Sequence, residues 1–235
     1  MLYHTANALL VSGNRFAIKN STSAGDPCMD ILTTASPVLK VLFERFGKPE
    51  ISNYPSLIKP GGHGAVIVSN HVGWADSLWM AYAIYPRQLH YMSKQELFKS
   101  TLSRWVLEHG GSIELDRIKP APSSIKTSVE LLRQGELFLI FPSGTRNQEN
   151  TIFKRGAATI ALHAQVPIVP VFYKGPTNMH PRHIMNRPHI QLSFGEPIQT
   201  ENMLNGKTSS HALTKRLKIA IEKLEFENSK ELAFT

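Results

Sequence analysis

From residue 65 onward, short and wholly apolar runs alternate with longer stretches of helical periodicity. No other feature limits the fold as much. Ala65-Val66-Ile67-Val68 reads as a buried strand, as do Leu137 to Phe141 and Ile168 to Phe172. Shorter strands are expected over Leu89 to Met92, Ser112 to Leu115 and His189 to Phe194. Between them, helices are expected over Asp76 to Tyr85, Glu96 to His109, Ser123 to Gln134 and Gly156 to Gln165, with a basic amphipathic helix over Thr208 to Phe226. Pro86, Gly110-Gly111 and Gly135 supply the stops. Strand–helix alternation of this kind predicts an α/β fold: a single domain with a mostly parallel central sheet flanked by helices. An N-terminal helical segment precedes it, because a stripe from Val38 to Phe46 follows Pro37. That stripe packs either on the core or against a membrane surface. Gly47 to Gly64, rich in Pro and Gly, reads as a loop, and Asn20 to Pro27 as a loop or linker.

Size and charge narrow the classes. A chain of 235 residues suits one domain with a real core. Its 42% apolar content is too low for a polytopic membrane protein, and no apolar run approaches the roughly 18 residues of a spanning helix. The start of the chain is broken by His4, Thr5, Asn7 and Asn14 and has no basic flank, so no export is expected. Cys28 is the single cysteine, which rules out an internal disulfide. Both points predict a cytoplasmic location. A net charge of +8 points to solubility or to an anionic partner: nucleic acid, an anionic membrane surface or a phosphorylated substrate. The basic residues are scattered and no nucleic-acid motif accompanies them, so nucleic acid is not expected as a partner.

Ligands of parallel sheets collect at the carboxyl ends of the strands. Three polar clusters follow strands here. In the first, His71 comes three residues after a strand and Asp76 near the start of the next helix. Five helical residues would separate the two on the helix surface, so His71 belongs in the loop and Asp76 in the first turn. A chain reversal then sets the carboxylate against one imidazole nitrogen and leaves the other free to take a proton. Alone, the pair reads equally as a helix cap beside a loop histidine. The second cluster, Asp116-Arg117, offers an anion clamp or a surface ion pair. In the third, Pro142-Ser143-Gly144-Thr145-Arg146, a glycine turn with exposed N–H groups and a fixed cation forms a phosphate nest or an ordinary loop. It lacks the P-loop pattern. No side-chain nucleophile accompanies these clusters, which suggests direct attack by a substrate hydroxyl. His180, His183 and His189 lie near prolines in a loop setting and read as surface histidines, so no metal site is expected.

In this order the clusters resemble the glycerolipid acyltransferase family that contains the 1-acylglycerol-3-phosphate acyltransferases. The match covers roughly residues 60 to 200. It comprises Asn70-His71-x4-Asp76; Lys94-x-Glu96-Leu97 running on to Gly110 and Asp116-Arg117; Phe141-Pro-Ser-Gly-Thr-Arg146 with Lys154-x-Gly156-Ala157; and Val166-Pro-Ile-Val-Pro-Val171. The resemblance implies that residues 60–235 form the acyltransferase domain and residues 1–59 a helical, irregular segment available for membrane contact. It implies His71 and Asp76 as catalytic residues. Arg117, Ser143, Gly144, Thr145, Arg146 and Lys94 would bind substrate, with backbone amides near the third motif facing developing negative charge. The donor would be an acyl thioester of coenzyme A or acyl carrier protein. The acceptor would be a phosphate-bearing lysolipid, above all 1-acylglycerol-3-phosphate. No cofactor or metal is required. Attachment would be peripheral, on the inner face of the membrane, aided by Lys215, Arg216 and Lys218. The family usually carries Glu where this chain has Ser143. That departure leaves open glycerol-3-phosphate or another lysolipid as acceptor, and a non-catalytic lipid-binding role.

Overall fold

The computed structural model describes residues 41, 43–115, 122–142, 153–201, 203 and 206–231. Seven strands form one sheet: β1 (Glu50–Ser52), β2 (Ala65–Ser69), β3 (Leu89–Lys94), β4 (Ser112–Leu115), β5 (Leu137–Ile140), β6 (Ile168–Lys174) and β7 (Gln191–Phe194). Helices α1 (Ala75–Ile84), α2 (Thr101–His109), α3 (Pro122–Arg133), α4 (Gly156–Ala164), α5 (His183–Asn186) and α6 (Lys207–Glu231) connect or follow them. The spatial order is β1-β7-β6-β2-β5-β3-β4. Five of the six pairings are parallel, and only β6 with β7 is antiparallel. The expected α/β class is therefore observed.

β2 is the central strand, and its composition accounts for this. All five of its residues are buried. Ala65 and Ile67 pack into one core, with Trp79, Met80 and Ile84 of α1 and with Leu137, Leu139, Val169 and Val171 of the neighbouring strands. Val66 and Val68 point the other way, onto Phe138, the alanine-rich α4 and Leu213, Leu217 and Ile221 of α6. A strand covered on both faces needs an unbroken apolar run, whereas a half-exposed one alternates.

Several local features depart from the sequence reading. Glu50–Ser52, expected within a loop, is an edge strand; its backbone pairs with β7, and Ser52 Oγ donates to Ser193 Oγ at 3.0 Å. A single helix over Glu96 to His109 is instead a 3₁₀ turn, Gln95–Phe98, followed by α2. Ser100 makes the break: its Oγ accepts the N–H of Ser103 at 3.1 Å and so caps a new helix. The short α5 was not foreseen. Of the expected N-terminal helix, residues 41 and 43–46 are described, and they are helical. Phe43 packs edge-on to Trp79, with ring centroids 5.5 Å apart. Phe46 also joins that core, so the two phenylalanines of the stripe pack inward while Val41 is exposed.

Candidate active site

β2 runs out of pairing partners at Ser69, and the chain then turns through 70–74 into α1. The turn sets His71 Nδ1 2.9 Å from Asp76 Oδ2. Asp76 is fully buried, while the His71 side chain keeps 10% of its surface exposed. Oδ2 also accepts the N–H of Val72 at 2.9 Å and of Gly73 at 3.1 Å; Oδ1 accepts the N–H of Ser77 at 2.7 Å and its hydroxyl at 3.3 Å. A carboxylate already surrounded by N–H and O–H donors acts as acceptor for an Nδ1–H, which favours the imidazole tautomer whose Nε2 lone pair faces away from Asp76. Phe141, just beyond β5, stacks on the imidazole with centroids 4.0 Å apart and planes 20° from parallel. The ring is thus fixed by a hydrogen bond at one edge and by a flat contact on one face.

The turn is also held from the chain just beyond β6. Trp74 N–H donates to Thr177 O at 3.0 Å, and Ala75 N–H to the same oxygen at 3.4 Å. Gly73 lies so close to this segment that a Cβ there would meet Thr177 O at 1.7 Å. Only glycine fits this approach.

His71 opens onto a cleft of about 630 Å³. One wall is α4 over most of its length, from Gly156 to His163. Met92 and Ile140, Ile125 of α3 and the first turn of α6 complete it. Its lining is mostly apolar, with Lys154 and Arg155 at the start of α4 and Lys207 at the start of α6. The Lys154 N–H donates to Pro142 O at 2.9 Å, tying the start of α4 to the end of β5.

Of the residues singled out in the sequence, His71 and Asp76 are brought together as expected. Arg117, Ser143, Gly144, Thr145 and Arg146 lie outside the described residues. The strands leading to them end on the same side as β2: β5 beside it, and β4 three strands away, about 14 Å at the usual spacing. Lys94 is exposed at the end of β3, paired in register with Leu115, and does not line the cleft. His180 and His183 spend ring nitrogens on backbone: His183 Nδ1 accepts from His180 N–H and His180 Nδ1 from Arg182 N–H. Burial, then Arg182 and His180, lower the pKa of His183. Among the described residues no group of three or more His, Cys, Asp or Glu could hold a metal ion, and no helix is long and apolar enough to cross a membrane. The sequence reading missed the cleft lining from β3, α3 and α6. Those residues carry no motif and meet only in three dimensions. Lys154 and Gly156 belong to the third motif, which by itself gives them no role.

Fold and site together define an α/β protein with a fixed His–Asp pair at the mouth of an apolar cleft. The acyltransferase family model matches residues 48–174. A 1-acyl-sn-glycerol-3-phosphate acyltransferase of Bacillus subtilis (strain 168) is 38% identical over 189 residues, spanning 80% of this chain and 93% of that protein. Another from Streptococcus pneumoniae is 35% identical over 139 residues, 59% of this chain and 51% of that protein. The crystal structure of the 1-acyl-sn-glycerophosphate (LPA) acyltransferase from Thermotoga maritima superposes with a TM-score of 0.56 over 86% of this chain and 93% of that one, at 18% identity, a likeness of fold. The chain belongs to the acyltransferase family, and its class of chemistry is O-acyl transfer.

Proposed function

We propose that this enzyme moves a fatty acyl group from a thioester to the free hydroxyl of 1-acylglycerol-3-phosphate, giving phosphatidic acid. The observation that carries this reading is the buried Asp76 holding His71 at the mouth of an apolar cleft. In the proposed step, His71 Nε2 takes the proton of the acceptor hydroxyl as that oxygen attacks the thioester carbonyl. The tetrahedral intermediate collapses with cleavage of the C–S bond. The imidazolium returns its proton to the leaving thiolate. No covalent enzyme intermediate forms. The cleft along α4 takes the acyl chain. Arg117 and Arg146 hold the acceptor phosphate, Ser143, Gly144 and Thr145 contribute to binding it, and Lys94 adds positive field.

Coenzyme A and acyl carrier protein both fit as carriers. The two B. subtilis and S. pneumoniae relatives are named for 1-acylglycerol-3-phosphate, which favours that acceptor. Ser143 supports a second reading, in which the acceptor is glycerol-3-phosphate or another lysolipid. The same substitution motivates a non-catalytic lipid-binding role. The enzyme would work from the inner face of the membrane as a peripheral protein, with Lys215, Arg216 and Lys218 facing anionic lipid.

The test is a panel of acceptors assayed with both thioesters on the purified chain. Phosphatidic acid formed from 1-acylglycerol-3-phosphate, and a roughly 10²–10⁴-fold loss in His71→Ala with the melting temperature little changed, is the expected result. A folded protein that consumes no thioester with any acceptor overturns both enzyme readings.

A further inference from the structure

The turn that carries His71 is tied to the neighbouring strand by one carboxamide. The last paired residue of β2, Ser69, stands opposite Val171 of β6. Asn70 comes next and has no backbone ladder left to join. Its side chain takes the place of one: Oδ1 accepts the N–H of Tyr173 at 2.8 Å, and Nδ2 donates to the carbonyl of the same residue at 2.9 Å. A strand residue points its N–H and its C=O to the same side, so a group offering one acceptor and one donor can bind both. A side-chain amide does this, whereas an ionised carboxylate offers acceptors alone. Ser69 Oγ donates to the same Oδ1 at 3.2 Å, which steadies the amide's orientation.

Tyr173 is itself a firm anchor. Its ring is buried, and its hydroxyl donates to Pro176 O at 2.8 Å. Burial, and secondarily the Asp76 charge, raise its pKa, so the hydroxyl stays a neutral donor. Four residues further on, Thr177 O receives Trp74 and Ala75. Both ends of the 70–76 turn are therefore fixed to a single stretch of chain, 173–177. Asp76 is placed by α1, and His71 by the residue before it. Their 2.9 Å contact depends on both supports.

We propose that Asn70 is a positioning residue for the acyl transfer: its carboxamide prolongs the β2/β6 ladder by one step and sets the backbone from which His71 reaches Asp76. The inference rests on the reading of His71 as the general base. The Asn70 amide is engaged by Tyr173 and Ser69, so it acts through the turn.

The test compares the full chain with Asn70→Ala and Asn70→Asp. The aspartate keeps the volume and the acceptor but sets an oxygen against the Tyr173 carbonyl. Four quantities are read: kcat, KM, thermal melting, and the proton resonance of His71 Nδ1–H, assigned by its loss in His71→Ala. Small displacements of a reacting group carry large rate penalties, so kcat is expected to fall about 100-fold while KM stays within about threefold. The variants should melt cooperatively, and the Nδ1–H resonance should broaden or vanish. A folded Asn70→Ala protein with kcat within about twofold of the parent overturns the proposal, as does an unchanged resonance. If both variants fail to fold, Asn70 belongs to stability and the proposal is likewise overturned. Should the parent transfer no acyl group to any acceptor, the functional reading fails, and the resonance alone decides whether Asn70 orients the pair.

Discussion

Asp76 accepts five hydrogen bonds while fully buried, and together these offset its cost of desolvation. Replacing it by Asn keeps the shape but turns an NH₂ group, or a neutral oxygen, toward three N–H donors. Asp76→Asn should lose about 1–3 kcal/mol of stability in denaturant titration. Its turnover should fall on the order of 10²–10⁴-fold, through the wrong imidazole tautomer. His71→Ala should lose rate on the same scale with less effect on stability, because the other four hydrogen bonds to Asp76 remain. Gly73 gives a complementary test. A methyl group there would collide with the Thr177 backbone rather than with a mobile side chain. Gly73→Ala is expected to cost roughly 1–3 kcal/mol and to lower kcat as well, both measurable on the same preparation.

Among the elements, α1 carries Asp76, and the helical residues 43–46 brace it from outside. Phe43 stacks on Tyr82 at 6.1 Å, and Tyr82 Oη donates to Glu44 Oε1 at 3.1 Å. Partial burial and then Glu44 push the Tyr82 pKa up from 10.0 to about 12. The sign follows from the neutral form being favoured in the folded state. The contribution is fully present below about pH 10, where tyrosine in the unfolded chain is still protonated, and is lost as pH rises toward 12. Stability measured across that alkaline window should decline in the parent and decline less in Tyr82→Phe. For α2, Ser100→Ala removes the cap on the Ser103 N–H and should cost about 1 kcal/mol.

At the scale of the molecule, the cleft is assembled from β3, β5, α3, α4 and α6, and no single element would form it. α4 lies along it, and the seven residue steps from Gly156 to His163 rise about 10 Å. If acyl chains lie there, a bulky side chain on α4 should shorten the preferred chain. Thr159→Trp, at a partly buried lining position, is expected to shift competition among thioesters of mixed length toward the shorter ones, with the short-chain rate nearly kept. An unchanged preference would place the chain elsewhere.

What the chain determines by local rules was legible in advance. The apolar run of β2 read as a buried strand, and the five-residue separation of His71 and Asp76 put one in a loop and the other in a first helical turn. These follow from periodicity and from steric limits within a few residues. The edge strand Glu50–Ser52 was not legible, because three residues carry no period and its pairing partner β7 lies some 140 residues away in sequence. The same reason hid the grip of Asn70 on Tyr173, although a polar residue directly after a buried strand was its only local sign. It also hid the lining of the cleft. Strand order decided these: β6 and β5 flank β2, so their ends supply Tyr173 to Asn70 and Phe141 to His71. Sequence by itself determined which residues could do the chemistry. Only the packing of distant segments decided what holds them still and what space they face, since hydrogen bonds and burial between those segments leave no periodic trace along the chain.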